Sequence, residues 1–181
     1  QSIGVKSPLG EDDYFQDIPS SFFNGQLPDS ENVVAFIEGD GSTDEILVLS
    51  AHYDHLGVNG EKIYNGADDD GSGTVAMMEI AKAFKEAEND GYQPRRGILF
   101  LHVTAEEKGL LGSLYYSKNP IFPIENTVAN LNTDMIGRVD ERHQDNPNYV
   151  YLIGSDRLST ELHELSEATN KKYVQLDLDY K

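Results

Sequence analysis

Apolar residues in this chain come in short runs divided by polar, glycine-rich stretches, and the period of each run predicts its element. Val33–Glu38 and Glu45–Ser50 are largely β-branched or aliphatic and flank the turn-rich Gly39-Asp40-Gly41-Ser42, which is a hairpin signal. Ile46-Leu47-Val48-Leu49 lacks strict alternation, as expected for a strand covered on both faces. Over residues 73–88 the period changes: Met77, Ile80, Ala81 and Phe84 recur at helical spacing, and Gly91 and Pro94 end the stretch. Ile98–Val103 reads as a central strand, a short helix follows around Leu110–Ser117, and Pro120 stops it. Val128–Asn132 and Tyr149–Ile153 read as strands, Leu158, Leu162 and Leu165 as a helix, and Val174–Leu178 as a last strand.

Strands that alternate with helices predict an α/β domain with a largely parallel sheet. Residues 1–32, rich in Gly, Pro, Ser and acids, are expected to be irregular and wrapped on the domain. Residues 33–181 are expected to form one domain, with no repeat or linker dividing them. A length of 181 residues supports a substantial core, and 38% hydrophobic with 9% aromatic residues is a globular composition. No apolar run approaches the roughly 20 residues needed to span a bilayer, so membrane insertion is not expected. A formal net charge of −18 argues against nucleic acid, which requires a basic face. The same charge favours solubility, and a negative rim would attract cationic amino groups.

Four segments carry candidate chemistry: His52-Tyr53-Asp54-His55, Gly66-Ala67-Asp68-Asp69-Asp70-Gly71-Ser72-Gly73, Thr104-Ala105-Glu106-Glu107-Lys108-Gly109 and Asn132-Thr133-Asp134-Met135. Three of them follow predicted strands, where open α/β sheets place their sites, and the fourth sits at a helix entrance. Each has a plainer reading. The aspartate run suits a solvated helix cap, the glutamate pair suits a surface loop, and Asp134 suits an exposed strand end. Flanking glycines allow tight turns, so Asp69 can point inward while Asp68 and Asp70 hydrogen-bond the loop. Asp54 could accept the second N–H of His52. Adjacent Glu106 and Glu107 can point in different directions, one to a metal and one to substrate as general base. His102 reads as a core histidine, and His143 and His163 as surface residues. With no cysteine in the chain, a zinc site must be built from imidazole and carboxylate.

In this order, Ala51–His55, Gly66–Gly73, Ala105–Ser113 and Leu131–Gly137 resemble the co-catalytic di-zinc aminopeptidases of the secreted leucyl-aminopeptidase and aminopeptidase Y type. That resemblance implies a three-layer α/β sandwich, a central mixed sheet flanked by helices. It also implies that His52, Asp69 and Asp134 hold one zinc, that Asp69 bridges to a second zinc bound by Glu107, that Glu106 is the general base, and that Asp54 orients His52. The implied activity is hydrolysis of N-terminal amino acids from peptides through a metal-bridging hydroxide, in a secreted or periplasmic protein. A carboxypeptidase, a dipeptidase, a one-zinc aminoacyl cyclase or a binding homologue without catalysis are alternatives on the same scaffold. The family completes its second zinc site with a downstream histidine that has no counterpart here, so a longer parent chain is expected.

Overall fold

The computed structural model describes residues 2–180. It divides into two compact units, Gln1–Gly137 and Arg138–Lys181, where the sequence suggests one domain.

The first unit is built on a five-stranded sheet. Its strands are β1 (Phe15–Ile18), β2 (Ser30–Ile37), β3 (Ile46–His52), β6 (Gly97–Val103) and β7 (Thr127–Asn132), in the order β1-β2-β6-β3-β7. β3 runs parallel to both β6 and β7, whereas β2 is antiparallel to β6 and to β1. The sheet is therefore mixed, with its parallel part centred on β3. Alternate residues of β3 and β6 enter two different cores, because successive side chains leave a strand on opposite faces. Leu49, Ala51, Ile98 and Phe100 pack with Met77 and Ala81 of α1 (Gly71–Asn89). Val48, Leu99, Leu101 and Val103 pack with Tyr116 of α2 (Leu111–Lys118) on the other side. These helices complete a three-layer arrangement.

Two sequence expectations are corrected in this unit. β2 and β3 do not form a hairpin, because β6 lies between them. The connecting loop instead crosses the entrance of β6: the Asp40 N–H donates to the Pro94 carbonyl at 2.9 Å and the Gly97 N–H to the Glu45 carbonyl at 3.0 Å. A Cβ on Gly39 would lie 2.8 Å from the Arg95 carbonyl oxygen, so the glycine is required by close approach. Nor is the segment 1–32 wholly irregular, since Phe15–Ile18 forms the edge strand β1. Its alternation is hidden by a polar residue on the inner face. Gln16 is buried because it donates to the Asn119 carbonyl at 2.8 Å and accepts from the Asn32 amide at 2.9 Å. A small hairpin of β4 (Gly57–Asn59) and β5 (Lys62–Tyr64) was too short to carry a periodic signal.

The second unit pairs β8 (Tyr149–Leu152) in parallel with β9 (Asp177–Tyr180), connected through α3 (Ser155–Leu158) and α4 (Thr160–Tyr173). The last strand starts later than Val174 because Asn170 pins the turn, exchanging side-chain hydrogen bonds of 2.8 and 2.9 Å with the Leu176 backbone. His143 is no surface bystander here. Its ring nitrogens lie 3.0 Å from Asp140 and 3.3 Å from Asp179, and the ring stacks on Tyr149. The Tyr151 hydroxyl donates to Asp140, which pushes the tyrosine up to about 12 and holds the carboxyl well below the usual range. Among the described residues no helix is long and apolar enough to cross a membrane.

Candidate metal centre

His52 is the last residue of β3 and is 2% exposed. The neighbouring chain ends are fixed at the same level. The Tyr53 N–H donates to the Val103 carbonyl at 3.1 Å and the Thr133 N–H to the Ser50 carbonyl at 2.8 Å. Ser50 Oγ reaches Asn130 Oδ1 at 3.0 Å and Asn132 Oδ1 at 2.9 Å on β7. Parallel β6, β3 and β7 thus deliver the Glu106, His52 and Asp134 segments to one edge of the sheet.

The aspartate run supplies the remaining contact and most of the scaffolding. Asp70 is 1% exposed. Its carboxylate accepts from the backbone N–H groups of His52 at 3.2 Å, Gly73 at 2.9 Å and Met135 at 3.2 Å. It caps α1 and at the same time ties together the strand end, the helix and the Asp134 loop. Asp68 Oδ1 accepts from the Gly137 N–H at 2.8 Å, and Ser72 Oγ accepts from the Ile136 N–H at 3.0 Å. Gly73 is required at this junction, since a Cβ there would lie 2.4 Å from the Thr133 carbonyl oxygen and 2.5 Å from Asp70 Oδ1. Between these two anchored neighbours, Asp69 is free to face the histidine.

His52 Nε2 lies 3.1 Å from Asp69 Oδ1, 3.8 Å from Asp134 Oδ1 and 3.9 Å from Glu106 Oε2. One ligand atom each from His52, Asp69 and Asp134 falls within 4.8 Å of the others, so three of the four expected ligands converge. Glu107 is not in that group. Its backbone N–H donates to Asp54 Oδ2 at 3.2 Å, and its charge lies close enough to raise the proton affinity of Glu106. His52 Nδ1 meets the Asp54 carbonyl oxygen at 3.0 Å, whereas the Asp54 carboxylate stands 3.5 Å away. A carbonyl can only accept, so it keeps a proton on Nδ1 and leaves Nε2 as the donor atom for a metal. One imidazole nitrogen with two carboxylates in a chain without thiols fits zinc or a similar borderline cation.

The titration of the centre follows from burial and crowding. Burial alone would lower the His52 pKa, but the carboxylates of Asp70, Asp134, Glu106 and Asp54 outweigh it and the net shift is upward. Asp134 is raised by burial and by Asp69 and Asp68, against the opposing pull of His52. Glu106 is raised by burial, with His52 opposing and Asp134, Glu107 and Asp54 adding to the shift. Asp70 is raised by burial despite its amide hydrogen bonds. Beside the centre lies a cavity of about 380 Å³, bounded by His52, Glu106 and Asp134 at the site and by Val48, Leu101 and Tyr116 beneath it. Asp68 and Asp70 hydrogen-bond the backbone while Asp69 faces the histidine, as the sequence suggests; the reach of Asp70 to the His52 and Met135 amides was not anticipated. The signal available was three successive acids where one metal contact would do.

Comparison with known proteins agrees with this geometry. Leucine aminopeptidase 1 of Penicillium rubens is 41% identical over 106 residues, 55% of this chain and 26% of that protein. A probable glutamate carboxypeptidase of Arabidopsis thaliana is 36% identical over 105 residues, 58% of this chain and 14% of that protein. The chain therefore spans about a quarter or less of these relatives. The crystal structure of a zinc aminopeptidase from Bacillus subtilis superposes with a TM-score of 0.68 at 26% identity, covering 86% of this chain and 36% of that one. The model of peptidase family M28 matches residues 32–179, which include every segment of the centre, and the chain belongs to that family.

Proposed function

We propose that the whole protein is a zinc exopeptidase that removes N-terminal amino acids from peptides. The observation that carries this reading is the convergence of His52, Asp69 and Asp134 within 4.8 Å, with Glu106 Oε2 3.9 Å from His52 Nε2. His52 Nε2, Asp69 and Asp134 would hold one zinc, and Asp69 with Glu107 would contribute to a second. Bound zinc supplies Lewis acidity and brings the pKa of water toward about 7. Glu106, raised by burial, is suited to take a proton from water and return it to the leaving amine. The side chains around the centre are predominantly acidic, which suits a substrate that presents a protonated amino terminus. Removal of C-terminal residues is the second reading, favoured by the likeness to a probable glutamate carboxypeptidase.

Glu106→Gln in the whole protein tests the assignment. An amide cannot accept the proton, so turnover of leucine p-nitroanilide should fall by about 10²–10⁴-fold while zinc stays bound. Near-normal turnover with zinc in place removes Glu106 from the chemistry. Cleavage of an N-blocked dipeptide in preference to the anilide transfers the assignment to the carboxypeptidase reading.

A further inference from the structure

We infer that Asn32 is a positioning residue for Glu106 and Glu107: its buried side-chain amide closes the base of the loop that carries both glutamates. The loop leaves the end of β6 at Thr104, and Gly112 lies in the first turn of α2. These two residues are joined directly, since the Gly112 N–H donates to the Thr104 carbonyl at 3.0 Å. Their remaining backbone groups are joined through Asn32. Its Oδ1 accepts from the Thr104 N–H at 3.1 Å, and its Nδ2 donates to the Gly112 carbonyl at 3.0 Å. Register explains why a side chain stands here. The antiparallel pairing of β2 with β6 ends at Val33 and His102, and Asn32 comes one residue further along β2. Where the ladder stops, the amide supplies the acceptor and the donor.

The amide has one orientation open to it. Asn32 is 0% exposed, and Nδ2 also donates to Gln16 Oε1 at 2.9 Å, so a flipped amide would turn its oxygen toward two acceptors and its NH₂ toward the Thr104 N–H. Gly112 lets the helix come this close, because a Cβ there would lie 2.2 Å from the Thr104 carbonyl oxygen and 2.6 Å from Asn32 Oδ1. The loop needs a fixed base. Ala105 at φ 51° and Leu110 at φ 61° both occupy the left-handed region that side chains disfavour, a conformation that persists only where its surroundings over-determine it. Inside the joined ends, the Leu111 N–H donates to the Ala105 carbonyl at 3.0 Å and the Leu110 N–H to the Glu106 carbonyl at 2.9 Å. The influence of Asn32 on the glutamates thus passes through the Thr104 and Gly112 backbone. A misplacement of about 1 Å in a reacting group can cost on the order of 10²-fold in rate. This rests on the exopeptidase reading where turnover is concerned, whereas the closure itself is a statement about backbone.

The test uses Asn32→Leu in the whole protein, a change that keeps roughly the side-chain volume and removes the bonds to Thr104, Gly112 and Gln16. Gln16→Met is the control, since it takes away a buried partner of Asn32 and leaves both bonds at the base of the loop. Amide hydrogen exchange over residues 104–112 should accelerate by about tenfold or more in Asn32→Leu and stay as in the wild type in Gln16→Met. kcat for leucine p-nitroanilide, per zinc-loaded molecule, should fall on the order of 10²-fold in Asn32→Leu with KM little altered. Gln16→Met should keep its kcat even though its denaturation midpoint drops. Wild-type kcat or unchanged exchange in Asn32→Leu overturns the inference. An equal fall of kcat in Gln16→Met also overturns it, because the effect would then be a general loss of packing. If Asn32→Leu does not fold, the wild-type protein decides: the Thr104 amide must be protected as strongly as that of Leu101 in β6, and exchange as fast as at Lys108 overturns the closure. Glu106→Gln run in parallel separates the two readings, because full turnover in that variant sinks the general-base role and leaves the exchange result untouched.

Discussion

At the scale of single residues, this centre is a concentration of negative charge held around one buried imidazole, and protons stand in for the metal when it is absent. His52 binds its proton more tightly than its ordinary value because the surrounding carboxylates outweigh its burial, and Asp134 and Glu106 do so through burial and neighbouring negative charge. Zinc requires the deprotonated forms. Loading near pH 6 should therefore release protons, and affinity should fall as pH drops through these raised values. Calorimetric titration in two buffers of different ionisation enthalpy measures the release; equal heats in both would show that no proton is displaced. His52, Asp69, Asp134 and Glu106 were legible in the sequence because strand ends and glycine-flanked acids mark where an α/β sheet does chemistry. That Asp70 would hydrogen-bond its own loop was legible too, but its bonds to the His52 and Met135 amides were not, because those segments are brought beside it only by the fold.

At the scale of elements, the reading of period was reliable where a segment packs on one or two apolar faces. α1, β3 and β6 appear within a few residues of their expected places, since their stripes and runs are direct records of burial. Partnership was less legible than existence. The glycine turn after β2 suggested a hairpin, yet a loop that bonds Pro94 and Gly97 carries the chain over a third strand. Nothing local in β2 or β3 records that β6 will insert. The junction of α1 with the Asp134 loop gives the sharpest element-level prediction. Gly73→Ala places a methyl against the Thr133 carbonyl and Asp70, and backbone must move to admit it. The expected loss of stability is about 1–3 kcal/mol, read from denaturant unfolding, with weaker zinc binding in the same variant. An unchanged midpoint and affinity would mean that the helix start and the loop are not coupled through this glycine.

For the whole molecule, the described residues contain one group in which three side chains able to ligate a metal come together. The 181-residue chain on its own should accordingly take up one zinc tightly, through His52, Asp69 and Asp134. A titration that saturates at two tight ions would show that Glu107 and Asp69 complete a second site by themselves. The class of fold was legible from the alternation of strand and helix. The division at Gly137–Arg138 was not, because no shift of composition marks it and β8 and β9 read as ordinary further strands.

The small hairpin from Gly57 to Tyr64 lies in the interval between His52 and Asp69, two residues that must meet within a hydrogen-bond length. Both ends of that interval are pinned independently of what lies between them. The His52 N–H is held by Asp70, and the Gly66 carbonyl accepts from the Gly71 N–H at 2.8 Å. Doubling the length of a flexible loop between fixed ends costs only about 0.6 kcal/mol. The interval is thus a place where insertions and deletions can accumulate over evolutionary time without separating the two side chains that its ends bring together.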